Sequence, residues 1–184
     1  MTSSRFLRFD LTGWRVAGAG GFRHLPGSVI ESYGGPGLFW YAPEKYEDFR
    51  LCIEWRITSI EDNSGVFLRI PSLSNSPQPA IDQGYEVQID DRGVDPDKRV
   101  LGSPLHLTGA IYGLAPAARR CSRPVGAWNL FEITARGPEI MVDLNGQEVS
   151  SLQNASREPQ GHIGLQSHHE GSAVQFRHLV VEVF

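Results

Sequence analysis

Between Asp48 and Ile57 the chain reads DFRLCIEWRI, and this strict alternation constrains the fold more than any other feature. Phe49, Leu51, Ile53, Trp55 and Ile57 fall on one side of an extended backbone, and Arg50, Cys52, Glu54 and Arg56 on the other. That is the period of two that a strand with unlike faces requires. GYEVQIDD, Gly84 to Asp91, repeats it with Tyr85, Val87 and Ile89 against Glu86, Gln88 and Asp90, and GHIGLQSHH and VQFRHLVVEVF near the end alternate as well. NLFEITARGPEIMVDLNGQEV holds two strands about Gly137-Pro138 and then Asn145-Gly146, a pair suited to a type I′ hairpin because both central residues need positive φ. Gly171-Ser172 suits one further turn. No capped amphipathic run of about 10 to 12 residues marks a long helix. The expectation is an all-β chain, a two-sheet sandwich or barrel rather than a parallel sheet with crossover helices.

With 184 residues, 40% of them hydrophobic, the chain suffices for one domain spanning 1–184 with a substantial core. Its 17 basic and 21 acidic residues, net charge -4, provide no basic field for phosphate backbones or anionic lipid, so neither nucleic acid nor a membrane is an expected partner. MTSSRFLRFDLTGW contains no apolar stretch of signal-peptide type, and no apolar run approaches the roughly 20 residues of a membrane helix. A soluble, cytoplasmic protein is expected. Cys52 in a strand and Cys121 in a loop read as free thiols. Asn154 heads a glycosylation sequon, which would need a secretory route. The Pro-rich segments Ile70 to Gly84 and Gly113 to Gly126 read as long loops over the sandwich, the kind that frame a site.

Parity lines up the polar faces of several strands. Asn63, Gly65 and Phe67 share a side with Arg69; Glu86 lies with Gln88 and Asp90; His162 with Gln166 and His168; Gln175 with Arg177. Arg, Gln, Glu, Asp and His pair with hydroxyl groups, and Tyr112 and Trp128 in nearby loops can pack on sugar C–H faces, so this set suits a polyhydroxyl ligand. From alternation alone, an outward solvated sheet face accounts for the same pattern. SHHE lacks the helical spacing of a zinc site, and Asp90 to Asp97 lacks the ligand spacing of a calcium loop. No Gly-rich phosphate loop, GxSxG elbow or Cys cluster occurs.

DLTGW, YEDFRLCIEWRI, NSGVFLR, GYEVQIDD, TGAIYG, GAWNLFEI, DLNGQEV, GHIGLQSH and VQFRHLVVEV, in this order from Asp10 to Val183, resemble the 3-keto-disaccharide hydrolase family. The resemblance implies a concanavalin A-like jelly-roll sandwich of two curved antiparallel sheets and an enzyme acting on glycosides oxidised at C3, as a hydrolase or as paired lyase and hydratase. On matching positions it implies a site of Arg69, Glu86, Gln88, Asp90, Tyr112, Trp128, Asn129, Gln166, His168 and Arg177. Members often carry a signal peptide or lipid anchor, which this sequence does not display, and SHHEG is bulkier than the turn usual after the family's LQ.H motif.

A C3 ketone acidifies the C2 proton, so a base can remove it, the C1 oxygen can leave by β-elimination, and water can then add back. Glu86 or His168 is the expected proton-transfer group and Arg69, with or without a divalent cation, the expected stabiliser of enolate charge. Such a cation would take Glu86, Asp90 and His168 as ligands. Gln88, Asp90, Tyr112, Trp128, Asn129, Gln166 and Arg177 would bind the carbohydrate. The alternative is a non-catalytic carbohydrate-binding module on the same sandwich, although such modules favour a flat row of aromatics over this polar face. A third reading is a scaffold domain without a ligand.

Overall fold

A computed structural model describes residues 3–7, 9 and 12–184; Asp10 and Leu11 of the DLTGW motif lie outside the described residues. Its strands are β1 Ser3–Leu7, β2 Trp14–Gly18, β3 Gly21–Leu25, β4 Val29–Tyr33, β5 Gly37–Tyr41, β6 Phe49–Arg56, β7 Ser64–Ile70, β8 Tyr85–Ile89, β9 Asn129–Arg136, β10 Glu139–Leu144, β11 Gln147–Leu152, β12 His162–Ser167 and β13 Gln175–Val183. One short helix, α1 Gln78–Gln83, interrupts them between β7 and β8. All strand pairs are antiparallel. The larger sheet runs β11-β10-β9-β6-β13-β4-β3, with β1 also on β13, and the smaller runs β2-β5-β12-β7-β8.

The alternation of β6 is realised as strict burial: Phe49, Leu51, Ile53 and Trp55 face inward at no measurable exposure. They meet Val66, Leu68, Tyr85, Val87, Ile89, Ile163 and Leu165 of the smaller sheet in one apolar cluster between the two layers. Each fully buried side chain of this size contributes about 1.5–3 kcal/mol. Turns fall where the sequence signals them. Asn145 and Gly146 take φ of 55° and 80° between β10 and β11, as a type I′ hairpin requires. Ser172, after Gly171, exchanges hydrogen bonds with the backbone of Asn63 and ties the β12–β13 turn to the start of β7.

Among the described residues three bulges break the parity of their strands; one is on β11, where two steps, Glu148 to Ser150, oppose one on β10, and the other two bear on the site. On β7 three steps, Phe67 to Ile70, oppose two on β12, Gly164 to His162, and Arg69 takes φ 51°. On β13 three steps, Arg177 to Val180, oppose two on β6, and His178 takes φ 53°. Beyond each bulge the side-chain faces exchange, so Ile70 joins an outward apolar cluster with Leu38, Trp40, Phe67, Leu73 and Ala80. Ala80 belongs to α1, so the Pro-rich segment after β7 lies over the outward face of the smaller sheet rather than projecting from it.

Candidate functional site

That outward face is a lattice set by register. Trp40 pairs with Gly164, Gly164 with Phe67 and Phe67 with Glu86, one continuous row across four strands. The next row runs from Leu38 to Gln166 and, one step on in the same register, to Gly65 and Gln88. Neighbours in such rows stand about 4.5–5.5 Å apart at Cβ, close enough to share one ligand. Gly65 opens the middle of the floor: a Cβ there would lie 2.2 Å from Glu86 Oε1 and 2.8 Å from its Cδ, so the carboxylate is folded over the space that glycine leaves.

Glu86 has no cationic partner among the described residues. The Gln88 amide, in the orientation that satisfies its neighbours, donates to Glu86 Oε1 at 3.3 Å and to Ser64 O at 3.1 Å. Desolvation therefore acts almost unopposed and pushes the Glu86 carboxyl up to about 8. Tyr112 is brought beside it by a hydrogen bond from its N–H to Glu86 O at 2.9 Å, and its ring packs edge-on against His106 at 4.8 Å. Burial, and then the Glu86 charge, raises the Tyr112 phenol above its ordinary value, so it keeps its proton and remains a donor.

Two lobes open on this floor and share Phe67 and Ile81 as a common wall. The larger, about 420 Å³, contains Glu86, Tyr112, Asp82 and Arg157; the smaller, about 280 Å³, is bounded by Leu38, Pro77, Gln166 and His168. Gln166 Oε1 and, nearby, Asn63 Oδ1 are buried acceptors without a hydrogen-bond partner, which a hydroxyl-bearing ligand could satisfy. His168 follows the end of β12 and its Nδ1 lies 2.9 Å from Nδ1 of His169. Partial desolvation, then the neighbouring His169, lowers the His168 imidazole below its ordinary value, although water reaches the ring.

Glu86, Gln88, Tyr112, Gln166 and His168 are thus collected at one place. The other expected site residues are not. Arg69 is 1% exposed and turned by its bulge toward the other sheet; its Nε and Nη2 donate to Glu47 O at 3.0 and 2.6 Å, its Nη1 to Gly137 O at 2.8 Å, and Asp48 lies 3.5 Å away. It fastens the two sheets and cannot reach an enolate beside Glu86. Arg177 belongs to the larger sheet, where it bonds Glu54 at 2.6 Å and stacks 4.1 Å over Trp128, whose ring also carries Arg56 at 4.6 Å. Trp128 is therefore engaged on that sheet and not on the floor. Asn129 is buried and its Oδ1 accepts from Arg123 N and Asn145 Nδ2, a turn-holding role. Asp90 adjoins the floor, but its oxygens accept from the N–H groups of Arg92 and Val94 and from Asn63 Nδ2, which shapes the turn after β8.

The expected cation ligands Glu86, Asp90 and His168 do not converge: among the described residues no group of three or more His, Cys, Asp or Glu side chains could hold a metal ion. With the Asp90 carboxylate committed to backbone N–H groups, the donor set does not fit a divalent cation, and no step is routed through one. Parity reasoning overlooked Arg157 and Ile81 as lobe residues. Arg157 Nη1 donates to Gly84 O and to Ile81 O at 3.2 Å, and its N–H to the Tyr85 hydroxyl at 2.6 Å; its loop carries no period to reveal this.

Two antiparallel sheets of five and eight strands, a core between them and a ligand-sized cleft on one outward face define a jelly-roll sandwich of the concanavalin A-like kind. Solved structures similar to it include a protein from Parabacteroides distasonis provisionally designated a glycosyl hydrolase, at TM-score 0.79 and 23% identity over 97% of this chain and 98% of that one. Lectin I from Ulex europaeus, solved with the methyl glycoside of α-L-fucose, gives 0.67 and 10% over 99% and 98%. The carbohydrate binding module CBM66 from Bacillus subtilis gives 0.63 and 13% over 91% and 93%. The family model of the 3-keto-alpha-glucoside-1,2-lyase-like domain matches residues 8–182, and the chain belongs to that family. No curated protein matches the chain in sequence. No helix among the described residues is long and apolar enough to cross a membrane.

Proposed function

We propose that the protein cleaves 3-keto-glucosides by removing the C2 proton, expelling the C1 oxygen and adding water to the resulting enone, with Glu86 as the proton-transfer group. One observation carries this reading: a carboxylate without a cationic partner, pushed up to about 8, lies over a glycine floor in an open cleft. A carboxylate held only for structure is normally ion-paired or accepts several hydrogen bonds; one met only by the long Gln88 amide contact is a stronger base than an ordinary Glu and suits abstraction beside a ketone.

In this reading the keto-sugar ring occupies the larger lobe. The C2–H bond breaks, its proton passes to Glu86, and the electron pair forms an enolate whose C3 oxygen takes a hydrogen bond from the Tyr112 hydroxyl. Arg157 adds positive charge at the far wall of the same lobe, the role for which Arg69 is misplaced. The C1–O bond then breaks; the departing oxygen lies toward Gln166 and His168, which can hydrogen-bond it, and takes its proton from the water whose hydroxyl adds next. Water adds its hydroxyl at C1 while Glu86 returns a proton to C2, giving the free 3-keto sugar.

The test is aglycone release from a 3-keto-glucoside and from the unoxidised glucoside. Only the former should react, and Glu86→Gln should lower turnover by roughly two orders of magnitude or more. Near-wild-type turnover by this variant would overturn the assignment. The likeness to lectin and binding-module folds favours a second reading, a module that holds the sugar without cleaving it. Binding without release of aglycone from any 3-keto-glucoside would establish that one instead.

A further inference from the structure

The two lobes that meet at Phe67 and Ile81 differ in chemistry. The larger offers Glu86, Asp82, Tyr112 and Arg157, enough donors and acceptors for the hydroxyls of a sugar ring. The smaller is walled by Leu38, Phe67, Pro77 and Ile81, and its polar groups are few. Ser167, which also borders it, is committed to the carbonyls of Tyr33 and Gly35 at 3.0 and 2.8 Å. His168 Nδ1 is engaged with His169. What remains is the Gln166 amide, whose Oε1 is a partnerless acceptor and whose Nε2 can donate, and the far nitrogen of His168. A second sugar would leave hydroxyls facing Leu38, Phe67 and Pro77, and a buried hydroxyl without a partner is costly. A ring with one hydroxyl aimed at Gln166 would leave none unsatisfied.

We infer that the smaller lobe is an aglycone subsite for a flat, largely apolar leaving group, an aryl ring bearing a hydroxyl, rather than for a second sugar. This rests on the proposed function, in which the oxidised ring fills the larger lobe. The aryl face packs between Phe67 and the α1 wall of Pro77 and Ile81, and the hydroxyl pairs with Gln166.

Leaving-group chemistry would bias rates toward phenols, so affinity is the proper readout. Calorimetry on the Glu86→Gln variant, with hydroxyphenyl and glucosyl 3-keto-glucosides of the same anomeric configuration, should give a Kd roughly tenfold or more lower for the aryl compound. On the same background Pro77→Ser, at a residue that borders only the smaller lobe, should reduce that advantage at least twofold while leaving the Kd of methyl 3-keto-glucoside within about 1.5-fold. Serine is a favoured residue at the α1 N-cap that Pro77 occupies, so the fold should tolerate it; circular dichroism checks this. Equal or tighter binding of the glucosyl compound would overturn the subsite while leaving the proposed function intact. Failure of the wild-type protein to bind or cleave any of the three compounds would overturn both.

Discussion

Replacing Glu86 by Gln should stabilise the protein at alkaline pH while removing its proposed activity. The folded state raises this carboxyl from an ordinary 4.5 to about 8, so it holds the proton more tightly than the unfolded chain does. The direction follows: the penalty for ionising Glu86 is absent below about pH 4.5, grows as pH rises toward 8 and is constant above. A shift of that size corresponds to at most about 5 kcal/mol at about 1.36 kcal/mol per unit. The carboxylate is only partly shielded and its lobe opens to water, so roughly 2–3 kcal/mol is the expected effect after screening. Gln is isosteric and neutral and carries no such term. Urea denaturation should therefore give nearly superimposable stabilities for wild type and Glu86→Gln near pH 5. At pH 9 the variant should lead by roughly 2–3 kcal/mol, or about 5–10 °C in Tm for a chain of this size. A gap that does not vary with pH, or a variant less stable at every pH, would refute the picture of an unpaired, desolvated carboxylate. Such a gain on removing the reactive group is the trade expected where a site is held in a costly state for function.

Three further outcomes follow. If Glu86 must be ionised to accept the C2 proton, kcat/KM for a 3-keto-glucoside should rise with pH and reach half its plateau well above the ordinary 4.5 and no higher than about 8, and a profile already flat from about pH 5 upward would exclude Glu86 as the base. Gly65→Ala should displace the Glu86 carboxylate toward solvent, lowering that midpoint toward the ordinary carboxylate range and kcat by roughly tenfold or more; an unshifted midpoint would show that the glycine does not position Glu86. Arg69→Gln should cost about 3–5 kcal/mol of stability in urea denaturation, because it strips the carbonyls of Glu47 and Gly137 of buried partners, yet leave the pH profile of the folded fraction unchanged. A changed profile would restore Arg69 to the site.

The part of the site legible in the sequence is the part carried by strands that keep their period. Glu86 and Gln88 point outward because β8 has no bulge, and Gln166 does so because β12 keeps its register with β7 from Gly164 onward. Alternation is a local property, however, and does not encode which strands pair. Gln175 and Arg177 have the residue types of a sugar site, yet β13 lies between β6 and β4 in the larger sheet, so Arg177 meets Glu54 and Trp128 instead. Nothing within VQFRHLVVEVF distinguishes the two placements, because the choice is made by contacts with residues more than a hundred positions away.

Arg69 shows a different limit. Counting by twos from Gly65 and Phe67 puts it on the floor, and the count fails by one residue because the backbone at Arg69 is left-handed. Glycine or asparagine at such a position would have signalled the turn; arginine does not. What holds it there is tertiary. Its guanidinium gains three hydrogen bonds to carbonyls at the far sheet, and the backbone of Gly161 packs so closely that a Cβ there would lie 2.3 Å from Arg69 C. The same bulge sends Ile70 outward, where it supports Leu73 and Ala80 and so seats the segment carrying Pro77 and Ile81 over the floor. An arginine that chemistry alone would assign to the reaction instead builds the wall against which the ligand would rest, and parity is a safe guide to a site only as far as the first residue with positive φ.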